Sequence, residues 1–343
     1  MRLLLMRARR HSPKGQCPPR NVDHAQSGVA QMAQSASDQD PLRRTASTQL
    51  PEVVQVAERV VGKPAVTWER PQCGLTAAHR YAIRFADGSA VFVKGAADDQ
   101  TAEYLRVEHA TLKTVGGTFG PAIVSWLPGE RPILITEHLP DYWPADADQT
   151  TRWRAGDVGA VHSALTELRT VTPPADMPLA WWPDPTWHQL VDDPALIDAG
   201  LCTPEWLERH GGLLVETDER AQSRTDCVVH GDVRSDNLCI LPDGRARLVD
   251  WSMSGAGHRW QDLIMFLPTV RLEGGPDPAT VFQGEVETVT RLAGPTVHRA
   301  MHFSDGPEWL GRVLRKLAVI NLDWIAALLA LDPPTTGQRA PLS

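Results

Sequence analysis

Residues 228–251 read VVHGDVRSDNLCILPDGRARLVDW. Cys227, Val228 and Val229 form a short apolar run that belongs in an interior. His230-Gly231-Asp232 turns the chain out of that run, and Asn237 follows five positions after Asp232. Leu238 to Leu241 is a second apolar run, and Pro242-Asp243-Gly244 is a turn signal. Arg245 to Val249 alternates polar and apolar residues, as a half-buried strand does. Two short strands joined by a tight turn therefore carry Asn237 at one end and Asp250 at the other. Closing that hairpin sets an amide beside a carboxylate, with the Asp232 carboxylate close by.

The chemistry that asks for this grouping is phosphoryl transfer. A nucleoside triphosphate brings Mg²⁺, a hard cation that takes oxygen ligands and keeps several waters. One carboxylate and one amide oxygen suit it, so Asp250 and Asn237 are the candidate metal ligands. A second carboxylate, off the metal, accepts the proton of an attacking hydroxyl, and that role falls to Asp232. Arg234, two positions on, is placed to neutralise charge on the transferring group.

The same residues resemble the catalytic loop and metal-binding segment of the kinase-like fold. Protein kinases carry H-R-D-x-x-x-x-N and then D-F-G. Here His230-Gly231-Asp232 with Asn237, then Asp250-Trp251-Ser252, stand in their places. The Gly after His and the Trp after Asp resemble the aminoglycoside phosphotransferase and choline kinase group of small-molecule kinases. That resemblance implies a two-lobed α+β protein-kinase-like fold. A small antiparallel sheet lobe would bind ATP, and a larger, mainly helical lobe would hold the metal and the acceptor pocket.

The stretches upstream are read in that light. Residues 1–48 are rich in Gln, Ser, Ala, Asp and Pro without periodicity, a disordered composition. The apolar start, Met1 to Met6, is too short for the core of a secretory signal, and a later start, for instance at Met32, is an alternative. Val53, Val54, Ala57, Val60 and Val61 recur at helical spacing after Pro51. Strands are expected at 66–69, 80–85 and 90–94, the last two joined by Ala86-Asp87-Gly88. Between the first two, Gly74 and Thr76 occupy the place of the family's phosphate-covering loop. Their backbone amides and the Thr76 hydroxyl are candidate phosphate contacts.

Lys94 ends an apolar strand, where an ammonium needs a partner. The resemblance gives it the α- and β-phosphates and a glutamate on the next helix, expected over 98–115. Glu103 and Glu108 both lie there, and Glu108 with Leu112 fits the family's Glu-x-x-x-Leu pattern. A further hairpin, 123–126 with 133–139, reaches the hinge, where the resemblance puts backbone groups of Glu137 to Leu139 against the adenine. The nucleotide lobe is thus expected over 49–139 and the catalytic lobe over 140–331, with a tail at 332–343.

In the second lobe a helix is expected over 150–168, with His162 as a structural residue near the catalytic loop. Residues 170–226 mix Trp with Asp and Glu, which suits a cationic or sugar-like acceptor by ring stacking or cation–π contact. Burial in the core is the competing reading for each Trp, and residue by residue the stronger one. Ser252 to Gly257 is Gly-rich and reads as mobile. Asp262, in a W-x-D-L element, is expected to brace the catalytic loop, and the last helix is expected over 309–331.

Composition bounds the rest. At 343 residues and 42% hydrophobic, the chain can bury one large core or two modest lobes. A net charge of −8, without basic runs beyond the first residues, argues against nucleic acid as the main partner. Five cysteines without a C-x-x-C pair fit a reduced, cytosolic compartment, and no apolar run approaches a membrane span. The expected partner is a small-molecule hydroxyl acceptor, and the expected assembly a monomer or homodimer. A nucleotide-binding module without turnover and a nucleotidyl-transferring enzyme are the alternatives. The first lacks support because every polar role is filled; product mass would separate the second.

Overall fold

The structure is a computed structural model that describes residues 50–71, 76–139, 153–304 and 307–335. Gly74 therefore lies outside the described residues.

The chain enters through helix α1 (Glu52–Val61), whose end is set by Gly62 at φ 74°, a left-handed position that glycine takes without strain. Strands β1 (Ala65–Glu69), β2 (His79–Phe85) and β3 (Ala90–Gly95) follow, then helix α2 (Asp99–Val115), β4 (Ile123–Leu127) and β5 (Ile133–Glu137). The five strands form one antiparallel sheet in the order β1-β2-β3-β5-β4. Alternation along the strands turns Ile83, Phe85, Val91, Val93 and Ile135 to one face, where α1 covers them with Val53, Val54 and Ala57.

Helix α2 belongs to a different core. Its start is fixed by a capping box, in which the Asp98 side chain accepts the Thr101 amide at 2.7 Å. Leu105, Glu108, Leu112 and Val115, spaced three or four apart, form its buried stripe. The leucines and the valine join the main core of the second half of the chain.

That second half is mostly helical: α3 (Asp157–Leu168), the short α4 (Trp187–Leu190) and α5 (Ala195–Asp198), and α6 (Pro204–Arg220). After three short strands come β9 (Gly255–Gly257), α7 (Gln261–Leu272), α8 (Pro278–Val281), α9 (Val286–Met301) and α10 (Glu308–Leu328). The three short strands are β6 (Cys227–Val229), β7 (Leu238–Ile240) and β8 (Ala246–Leu248). Helix α3 starts later than the sequence pattern suggested. Gly156, at φ 93°, stands ahead of it, and the Asp157 side chain accepts the Arg154 amide at 2.9 Å. After α10, Asp332 and Pro334 stay tied to α6: the Thr203 amide donates to the Pro334 carbonyl at 2.9 Å and the Trp206 indole to the Asp332 carbonyl at 2.8 Å.

The Gly-rich segment after Trp251 is not a mobile loop. Gly255–Gly257 is a buried strand, β9, paired antiparallel with β6. Its glycines serve close approach rather than flexibility. A Cβ at Gly255 would stand 2.6 Å from the Ala180 amide nitrogen, and one at Gly257 2.7 Å from the Val229 side chain.

The tryptophans are largely core. Trp187 and Trp251 are fully buried, and the Trp187 indole donates to the Thr290 carbonyl at 2.8 Å. Trp251 donates to the Leu248 carbonyl at 2.9 Å and sits against Gly120, where a Cβ would come within 2.6 Å of its indole nitrogen. Trp251→Ala should therefore lower stability by about 3–5 kcal/mol, read from urea unfolding; a loss under ~1 kcal/mol would mean the site collapses around the gap.

Candidate active site

The hairpin read from the sequence is present. Leu238 pairs with Leu248, Ile240 with Ala246, and the Val249 amide donates to the Asn237 carbonyl at 2.9 Å. Asn237 and Asp250 thus flank the open end of the hairpin. Asn237 donates through Nδ2 to the Asp232 carbonyl at 2.9 Å and toward Asp232 Oδ2 at 3.3 Å. Both neighbours are acceptors, so the nitrogen faces Asp232 and the amide oxygen is turned away from it.

The loop before the hairpin is held from two sides. Asp262, at the start of α7, accepts the His230 amide at 2.7 Å and the Gly231 amide at 2.8 Å. The support expected of Asp262 is visible in those two bonds. His230 works across the loop: its Nδ1 accepts the Asp232 amide at 3.2 Å, so the proton belongs on Nε2, which donates to the Val249 carbonyl at 2.9 Å. Gly231 is required twice over. Its φ is 79°, and a Cβ would stand 2.4 Å from the Met253 carbonyl oxygen. Gly231→Ala should displace the loop, lowering stability by ~1–3 kcal/mol together with turnover. A variant with wild-type melting and rate would show the loop tolerates a side chain there.

Arg234 lies beside the loop carboxylates. Its Nη2 donates to Asp236 at 2.9 Å, and its Nε stands 3.7 Å from Asp232 Oδ2. Asp232 itself is buried, at 9% exposure.

From the sheet side, Lys94 reaches in from β3. Its ammonium donates to both Glu108 oxygens at 2.9 Å and to Asp250 Oδ1 at 3.1 Å. Helix α2 is also tied to the turn after Asp250 through Thr111, whose hydroxyl lies 2.7 Å from that of Ser254. Glu103, the other candidate on this helix, lies on its exposed side with Arg106. Burial works against the Lys94 charge, but Asp250 and Glu108 outweigh it and hold its pKa above the ordinary lysine value. Burial likewise opposes the Asp250 charge, and Lys94 and Arg80 overcome it, holding that carboxyl well below the usual range. Asp250 adopts φ 65°, ψ 61°, a left-handed conformation that Asp and Asn tolerate better than most side chains.

Thr76 lies just ahead of β2, and Glu137 ends β5. The Thr76 hydroxyl accepts from the Arg80 guanidinium. The Glu137 amide donates to the Ala122 carbonyl at 2.9 Å, and its side chain accepts the Ala122 amide at 2.8 Å and a hydrogen bond from Arg247. Leu139 follows two residues on, buried at 7% exposure. Arg80 was missed in the sequence, where nothing marks an arginine early in a strand as different from a surface one. The only signal available was register: it lies opposite Lys94.

A family model described as the phosphotransferase enzyme family matches residues 76–294, well over half of the chain. The chain belongs to that family. The match runs from Thr76 to Gly294 and so spans every site residue just described. This phosphotransferase also resembles solved structures. An aminoglycoside phosphotransferase from Alicyclobacillus acidocaldarius superposes with a TM-score of 0.50 at 15% identity, covering 84% of this chain and 98% of that one. At such identity the likeness is one of fold, the two-lobed kinase-like fold. A macrolide 2'-phosphotransferase from Brachybacterium faecium gives 0.48 at 14% identity, with 80% and 97% covered. An aminoglycoside-3'-phosphotransferase of type VIII gives 0.45 at 21%, with 79% and 100% covered. No curated protein sequence matches the phosphotransferase. None of its described helices is long and apolar enough to cross a membrane.

Proposed function

We propose that this phosphotransferase moves the γ-phosphoryl group of ATP to a hydroxyl of a small molecule, with residues 49–139 binding the nucleotide and 140–331 the acceptor. The observation that carries the reading is convergence. Lys94 from the sheet joins Glu108 of α2 and Asp250 of the hairpin, Asn237 joins Asp232, and the backbone of Val249, next to Asp250, bonds both Asn237 and His230, which brings the two groups to the same end of the hairpin. Such a set has a use in phosphoryl transfer, where positioning and electrostatic stabilisation do most of the work.

Asp250 and Asn237 offer a carboxylate and an amide oxygen at the open end of the hairpin, hard donors that fit Mg²⁺ shared with phosphate oxygens. Bound there with the nucleotide, Mg²⁺ would neutralise charge on the phosphate chain. Lys94, fixed by Glu108, holds the α- and β-phosphates. Asp232 orients the acceptor hydroxyl and takes its proton, and Asn237 Nδ2 keeps that carboxylate aimed. Arg234, beside Asp232, meets charge developing on the transferred group. With its amide spent on Ala122, Glu137 offers its carbonyl to the adenine edge, and Leu139 is the next backbone contact along the hinge. Gly74 and Thr76 contribute backbone amides over the phosphates.

A coupled ADP-release assay tests the reading. The purified chain with Mg-ATP is given aminoglycosides, macrolides, choline, homoserine and simple sugars in turn. Release stimulated by one class, with a product heavier by one phosphate, is the expected result. A product heavier by AMP, or no binding of Mg-ATP at all, would overturn it.

A further inference from the structure

The roles above place one cation, Lys94, on the nucleotide phosphates. The sheet carries another. In the β2–β3 register Arg80 is the direct partner of Lys94, so both side chains leave the same face of the sheet. Like charges directly opposite each other destabilise a sheet unless an anion lies between them. Asp250 is the nearby anion: it lies 3.1 Å from Lys94, and the charges of Lys94 and then Arg80 hold its carboxyl below the usual range against burial. The charge of Arg80 is felt at Lys94 as well.

The guanidinium is also held in place. It donates to the Thr76 hydroxyl, and Nη1 makes a longer contact, 3.5 Å, to the Thr76 carbonyl. Arg80 is partly buried, unlike Arg84 four residues further along the same strand, which is exposed. Thr76 accepts only part of what the five N–H groups of the guanidinium can donate, and the register sets Arg80 across from Lys94. A planar guanidinium fork matches two phosphate oxygens at once, which a lysine ammonium does not.

We propose that Arg80 is a second phosphate-binding residue of this site, gripping the nucleotide's phosphate chain from β2 while Lys94 grips it from β3. The inference rests on the nucleotide-dependent reading above. Asp250 is the anion 3.1 Å from Lys94, and phosphate oxygens would supply a further anion that both cations can meet. The pair of cations then favours nucleoside di- and triphosphates over the nucleoside.

Calorimetric titration of the full chain with ADP and with adenosine tests this without relying on turnover. Arg80→Gln should weaken ADP by tenfold or more, leave adenosine within twofold, and flatten the dependence of ADP affinity on salt. Arg80→Lys should recover part of the loss, and Arg84→Gln should match the wild type. Thermal melting identifies a variant that has lost its fold, in which case Arg80→Lys carries the comparison. Equal ADP affinity in wild type and Arg80→Gln, or equal losses for ADP and adenosine, would overturn the proposal while leaving the kinase reading standing. Failure of the wild type itself to bind ADP would overturn both.

Discussion

Asp232→Asn is expected to lower turnover by roughly 10²–10⁴-fold while nucleotide binding stays close to wild type. The substitution keeps the shape of the side chain and leaves an oxygen to accept from Asn237 Nδ2, now 3.3 Å from Asp232 Oδ2. What it removes is the ability to take a proton. The backbone bonds of the loop, from the Asp232 amide to His230 and from Asn237 to the Asp232 carbonyl, are untouched. Single-turnover rates and ADP titration on the same preparation separate the two effects. If affinity fell as far as rate, Asp232 would be a nucleotide ligand rather than a base.

Asp250→Asn should act on binding as well as on rate. Asn tolerates the left-handed backbone at this position, so the substitution removes charge without adding strain, as Asp250→Ala would. On the proposed function the metal would lose its carboxylate, and Lys94 loses one of its two acidic partners. A hydrogen bond to a charged group contributes about 1.5–3 kcal/mol. Mg²⁺-dependent ADP affinity should therefore drop by at least about tenfold, with a rightward shift in the Mg²⁺ concentration needed for half-maximal binding. Titrations of ADP across a Mg²⁺ series would show this. An unchanged Mg²⁺ requirement would remove Asp250 from the metal site.

Much of the fold was legible because its signals are local. The Asn237–Asp250 hairpin is announced by two apolar runs and Pro242-Asp243-Gly244. The stripe that buries Glu108 among Leu105, Leu112 and Val115 is a matter of helical spacing. Two features escaped because they depend on contacts distant in sequence. Gly255 and Gly257 read as part of a mobile segment in the sequence, yet they make room for the segment around Ala180, some 75 residues earlier. Arg80 differs from Arg84 only in what lies across the strand, and a register between β2 and β3 cannot be read from either strand alone. The acceptor pocket is the least legible part. Trp187 and Trp206 answer to core packing and to single indole hydrogen bonds, so their abundance carries no signature of a ligand.

The pairing of β9 with β6 constrains how activity can be governed. A segment that follows a metal-binding aspartate serves as a switch only if it can swing between an ordered and a released state. Here Gly255–Gly257 is pinned by a ladder to Cys227–Val229, directly before the catalytic loop, and Thr111 of α2 meets Ser254 at 2.7 Å. Releasing the segment would dismantle the catalytic loop along with it. The segment is thus set in place as the chain folds, and on the proposed function turnover would follow the supply of nucleotide and acceptor rather than a covalent signal there.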